Sequence, residues 1–148
     1  MIIDVACGSD HALTVSTSTG SIYTWGSDGC VRGHHNFHQT SLPDLKPKVV
    51  ISVSGGGGEE VTACVTKTGE VFTLGRRRYG KLGHGGHGDE SNRDTPKRVE
   101  SLIGVKAKQV SYGFNHTIVS CTEDGRIVLV YTFGKGEYHG QLVHDEDH

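Results

Sequence analysis

The stretch GGEEVTACVTKTGEVFTLG, residues 57–75, places two short β-branched, apolar runs on either side of a Lys-Thr-Gly turn and stops on a glycine. VTACV (61–65) alternates only partially, as expected of a strand whose two faces pack differently. Gly69 stands where a tight hairpin turn needs positive φ. EVFTLG (70–75) reads as the returning strand, with Leu74 filling space between sheets and Gly75 freeing the chain to turn away.

Two further segments repeat this phrase, GSDHALTVSTSTGSIYTWG from Gly8 and GFNHTIVSCTEDGRIVLVYTFG from Gly113. The opening glycines Gly8, Gly57 and Gly113 are 49 and 56 residues apart, and the closing glycines Gly26, Gly75 and Gly134 are 49 and 59 apart. VAC, VISVS and KQVSY supply a first short strand ahead of each copy, and STG, KTG and EDG supply the turns, with Gly20, Gly69 and Gly125 at the positive-φ place. An all-β unit recurring near every fifty residues predicts blades of a β-propeller rather than a helical solenoid.

Composition agrees with many tight turns between short strands. The 148 residues include 22 glycines and only 3 prolines, with 34% hydrophobic residues. That length suits one domain with a real core. The net charge of −2 provides no overall field for nucleic acid or an anionic membrane. Cys7, Cys30, Cys64 and Cys121 show neither C-x-x-C nor zinc spacing. Cys7, Cys64 and Cys121 fall in apolar strand-like runs, where a free cysteine behaves as a small hydrophobe. A reduced, intracellular chain, cytoplasmic or nuclear, is the expectation, with no signal peptide and no apolar span of membrane length. Asn115-His116-Thr117 matches a glycosylation acceptor only formally.

GSDHALTVSTSTGSIYTWG, together with YGKLGHG (79–85) and TPKRVESLIG (95–104), resembles the regulator of chromosome condensation (RCC1) repeat. The resemblance covers nearly the whole chain and implies an all-β fold of four-stranded propeller blades. A complete family domain has seven blades, whereas this sequence holds about three, approximately 1–50, 51–106 and 107–148, in a single repeat domain. Three readings follow: a fragment of a longer protein, a partial propeller that self-associates through open sheet edges, or a divergent small sheet protein. The resemblance further implies a scaffolding module for a protein partner, a small GTPase or a ubiquitination component, with the ubiquitin-ligase branch of the family nearest in phrase. Guanine-nucleotide exchange on a small GTPase is the alternative. A membrane is not an expected partner, and neither is nucleic acid, since chromatin binding would want a basic face.

The copies depart from the pattern in places. The first continues as SDGCVRGHHNFHQTSLPDLKPKVV without the Lys-Leu-Gly core, and the second has Glu60 where His11 and His116 stand in the others. The third inserts about three apolar residues, VLV at 128–130, and has Val143 where glycine is usual. The middle blade, roughly 57 to 112, is therefore expected to be the most regular.

No arrangement in the sequence calls for covalent catalysis. His11 and His116 share a repeat position, which marks a structural fixture rather than a catalytic group. His34, His35, His38, His84 and His87 could in principle hold zinc or nickel but lack cysteine or carboxylate partners at defined spacing. SGGGGEE (54–60) precedes a strand and has no Gly-Lys-Ser/Thr, so it is not a phosphate loop. No cofactor or metal site and no enzymatic activity are expected. The segments 26–40, 75–94 and 134–148 remain as candidate interaction loops. Within them Arg76, Arg77, Arg78, Tyr79, Lys81 and His84 form the most interaction-like cluster, guanidinium forks for carboxylate or phosphate beside an aromatic ring. A solvated loop is the plainer reading of the same residues.

Overall fold

Each copy of the phrase folds into the antiparallel hairpin that its turn chemistry dictates, preceded by a short strand on one side. The computed structural model describes residues 2–8, 11–16, 21–26, 38–40, 45, 48–56, 61–75, 82–84 and 93–134. The first sheet contains β1 (Ile2–Cys7), β2 (His11–Ser16), β3 (Ile22–Gly26) and β4 (His38–Thr40), in that order. The second contains β5 (Val50–Gly56), β6 (Val61–Thr66), β7 (Val71–Gly75) and β8 (Arg93–Arg98). The third contains β9 (Ala107–Tyr112), β10 (His116–Glu123) and β11 (Arg126–Gly134). A 3-10 turn, Glu100–Leu102, accompanies these strands, and Leu45 also lies in 3-10 conformation. The described residues are thus almost all β, arranged as two four-stranded sheets and one three-stranded sheet, as the blade reading of the repeat expects.

The registers of the three hairpins coincide. His11 pairs with Gly26, Val61 with Gly75 and His116 with Gly134. Counting from these pairs makes Leu13, Ala63 and Ile118 equivalent, and likewise Ile22, Val71 and Val130. In the first strands, Val5, Val53 and Val110 share one place. Each first strand also carries a register irregularity at the same spot, beside Asp4, Ser52 and Gln109. One extra residue there increases local twist and bends the strand.

The sheets stack face to face. One core, built from Leu13, Val15 and Ile22 with Val53, Cys64, Phe72 and Leu74, joins the first sheet to the second. The other core, containing Val61, Ala63, Val65 and Val71 with Val110 and Val119, joins the second to the third. The middle sheet therefore presents an apolar residue on both faces, and every residue of β6 and β7 is buried. β10 faces a neighbouring sheet on one side only and alternates in burial. This accounts for VTACVT against HTIVSCTE in sequence.

The apolar insertion in the third copy is taken up within its hairpin, where β10 and β11 run to 8 and 9 residues. Asp124 and Gly125, at φ 48° and 78°, make the two-residue turn, and a single shift between Cys121 and Thr122 absorbs the extra residue. Cys7 is exposed, unlike Cys64 and Cys121, because β1 packs on the second sheet through its other face and, among the described residues, no sheet covers the face that carries Val5 and Cys7. Burial pushes the Cys64 thiol up to about 12 and raises that of Cys121, so both are inert.

Candidate functional site

Arg76, Arg77, Arg78, Tyr79 and Lys81 lie outside the described residues, but the residues that bracket them are fixed. On one side β7 ends at Gly75, whose φ of 114° matches the left-handed Gly26 and Gly134 at the equivalent strand ends. On the other side stands Leu82-Gly83-His84. Leu82 is fully buried in the core between the second and third sheets. Gly83, at φ 73°, lies so close to the third sheet that a Cβ would come within 2.9 Å of the Phe133 ring.

Thr73 on β7 completes this latch. Its Oγ1 donates to the Leu82 carbonyl at 2.7 Å. A hydroxyl has only one hydrogen, so His84 Nε2, 2.8 Å away, is the donor to the same oxygen and carries a proton. His84, one of the six residues read from sequence as an interaction cluster, therefore ties its own segment back onto the sheet. Leu-Gly-His is a clasp between β7 and the third sheet.

The repeated histidine behaves as a fixture. The Gly113 amide donates to the His116 carbonyl at 2.8 Å, and the His116 ring lies over Gly113 where a Cβ would overlap it. The side chain of His11 lies outside the described residues, as do those of His34, His35, His38 and His87. Among the described residues no three histidine, cysteine or acidic side chains come together as a metal site.

A second feature was not read from the sequence. The first strands β1, β5 and β9 run side by side along a cleft of about 470 Å³ lined by Asp4, Cys7, Ser52, Ser54, Gln109 and Ser111, among others. Each of these strands is the edge of its sheet, and side chains of one satisfy amides of the next. Val53 N donates to Asp4 Oδ2 at 3.0 Å, and Tyr112 N donates to Ser54 Oγ at 2.9 Å. The other oxygen of Asp4 accepts from Val5 N at 3.0 Å. The carboxylate is thus engaged by backbone amides on both oxygens and acts as a staple between sheets. The signal in the sequence is the polar residue alternating through every first strand, DVAC, SVS and QVS.

An ionic cluster sits below the second hairpin. Glu70 accepts from Lys48 Nζ at 2.6 Å and from Thr68 Oγ1 at 3.0 Å, and Arg98 lies 3.2 Å away. Lys48 also stands 5.8 Å from the centre of the Phe72 ring. The Lys48 hydrogen bond, against some cost of burial, holds the Glu70 carboxyl below its usual value of 4.5. A lowered folded-state value stabilises the fold above the ordinary carboxylate range, and that contribution disappears as pH falls through the lowered value. Because Lys48 and Arg98 are partly solvated, it amounts to about 0.5–1 kcal/mol. Urea unfolding at pH 7 and pH 3 should show Glu70→Gln destabilised at the higher pH by that amount and equal to wild type at the lower. An equal deficit at both pH values would refute the ionic origin.

Comparison with known proteins places these features in context. Residues 68–120 and 2–30 match the regulator of chromosome condensation (RCC1) repeat. The chain is 36% identical over 154 residues to the human E3 ubiquitin-protein ligase HERC2, covering 99% of this chain and 3% of that protein. It is 36% identical over 155 residues to the Arabidopsis thaliana ultraviolet-B receptor UVR8, covering 99% of this chain and 32% of that one. The chain spans about a third or less of the length of these relatives. Among solved structures, human WBSCR16 superposes with a TM-score of 0.71 at 24% identity, over 90% of this chain and 33% of that chain. Yeast RCC1 (Prp20), solved bound to Kap60, superposes with a TM-score of 0.66 at 17% identity, over 90% and 32%. These likenesses establish the fold.

Proposed function

Since the chain is built of RCC1 repeats, we propose that it is a protein-interaction module that offers a protein partner the basic segment lying in sequence between β7 and the Leu82–His84 clasp. The observation that carries this reading is the clasp. Gly75 and Leu82-Gly83-His84 fix both flanks of Arg76-Arg77-Arg78-Tyr79-Gly80-Lys81, and fixing the flanks reduces the ordering cost of binding. Guanidinium forks beside a tyrosine suit an acidic protein surface with exposed carboxylates. Likeness to HERC2 and other ligases of that group supports a partner in ubiquitination, and the propeller resemblance supports a GTPase-regulatory setting. The whole chain would serve as one domain of approximately three repeats, working in the cytoplasm or nucleus as a non-catalytic scaffold.

The test is quantitative affinity capture with the wild-type chain and the triple variant Arg76→Ser, Arg77→Ser, Arg78→Ser. The variant should lose a specific subset of partners by about tenfold or more while its thermal melt stays unchanged. Identical capture sets would overturn the assignment of this segment. Guanine-nucleotide exchange is the second reading, and accelerated nucleotide release from a small GTPase on adding the chain would establish it. Unchanged release across a panel of GTPases would dismiss it for this chain.

A further inference from the structure

The connection from β9 to β10 differs from its counterparts in one side chain. The Gly113 amide donates to the His116 carbonyl at 2.8 Å, which leaves Phe114 and Asn115 as the two residues of the turn. Phe114 is 66% exposed. The corresponding residues are Ser9-Asp10 in the first copy and Gly57-Gly58-Glu59-Glu60 in the middle one, and none of these is apolar. The middle sheet has a neighbour on each side, and its connection still carries two glutamates. This place in the repeat therefore belongs to water even when sheets adjoin on both sides, since carboxylates are almost never buried unless paired. Packing of the repeat has no use for an aromatic ring there.

The backbone beneath the ring is held from three directions. The hydrogen bond between Gly113 and His116 closes the turn, the His116 ring lies against Gly113, and Gly134 at the end of β11 abuts the Asn115 carbonyl. A turn fixed in this way presents its side chain at little ordering cost, and an exposed aromatic on such a base suits a pocket in a partner. The turn also stands at the same end of the third sheet as the clasp. Gly83 lies against the Phe133 ring, and Phe133 precedes Gly134, whose strand partner is His116.

We propose that Phe114 is the apolar anchor of the interaction surface, and that the partner is a protein whose acidic surface contains an apolar pocket for one phenyl ring. The proposal rests on the interaction role of segment 76–81 and adds to it the other half of recognition. The arginines supply charge, and position 114 supplies area that leaves water.

The probes are purified proteins that the wild-type chain retains and the triple arginine variant loses. Isothermal titration should show Phe114→Ser, which restores the residue of the first copy, binding them about tenfold or more weakly. Phe114→Leu keeps an apolar side chain and should lose less than Phe114→Ser. Ile103, 53% exposed ahead of β9 at the opposite end of that strand, is the control, and Ile103→Ser should bind as wild type does. On irradiation, p-benzoylphenylalanine in place of Phe114 should cross-link to the partner, and in place of Ile103 it should not. Thermal melting checks that every variant keeps the fold. Unchanged affinity of Phe114→Ser, an equal loss in Ile103→Ser, or equal cross-linking from both positions would overturn the proposal and leave the basic segment as the site. A triple arginine variant that loses no protein would overturn the role of segment 76–81, and this proposal with it.

Discussion

Replacing Leu82 by alanine is expected to lower the unfolding free energy by about 3 kcal/mol or more, one of the largest losses available to a single substitution here. Leu82 has no exposed surface and stands between the second and third sheets among Val61, Ala63, Val99 and Val119. Removing three heavy atoms there forfeits transfer energy and leaves a void that flanking strands cannot easily close. The void opens where the clasp begins, so the effect spreads beyond packing. The Leu82 carbonyl is the acceptor for Thr73, and a displaced residue 82 also loosens His84. Urea unfolding reads the loss directly, and a decrease in melting temperature of roughly 6–12 °C should accompany it. A change below about 1 kcal/mol would mean that residue 82 is not the knob described here. Thr73→Val separates the two contributions, since it keeps the packing and removes the hydrogen bonds.

Gly134→Ala should cost a comparable amount, about 3 kcal/mol, for a different reason. Gly134 has φ 125°, a region open to glycine but strained for any residue with a Cβ. An added methyl would also run into the Asn115 carbonyl and stand 2.7 Å from His116 Cα. Both obstacles are backbone atoms, so no side chain can swing aside. Gly104→Ala is the control. At φ 87° it has the left-handed strain but nothing within 4 Å of a new Cβ, so about 1 kcal/mol is expected. Equal losses at the two positions, measured by urea unfolding, would show that overlap at Gly134 contributes nothing.

The hairpins were readable because turn and strand chemistry is local. Lys-Thr-Gly and Glu-Asp-Gly specify where the chain reverses, and the β-branched runs on either side specify what it does between reversals. The fourth strands were harder. β8, RDTPKR, is polar and contains a proline, which suits an outer edge strand but gives no alternating signal. β4 falls within the stretch of the first copy that departs from the repeat. Exposure of Cys7 was illegible for another reason, because burial of a residue in a first strand depends on whether a sheet precedes it. The staples by Asp4 and Ser54 join residues 49 and 58 positions apart, and no local pattern announces such a pair. As for the interaction cluster, its residue types were visible in the sequence, whereas the role of His84 depended on one hydroxyl hydrogen already directed at Leu82.

The double burial of the middle sheet sets how this molecule can come apart. Among the described residues each outer sheet packs against the middle one and the middle one packs against both, so the two described cores both depend on the middle sheet. Order must therefore spread from β6 and β7 outward in both directions, in the manner of a short one-dimensional array with a nucleus at its centre. Fraying proceeds the other way and releases the ends first. The most protected amides then belong to the strands with the least surface, and the two outer sheets are the parts freest to open and close.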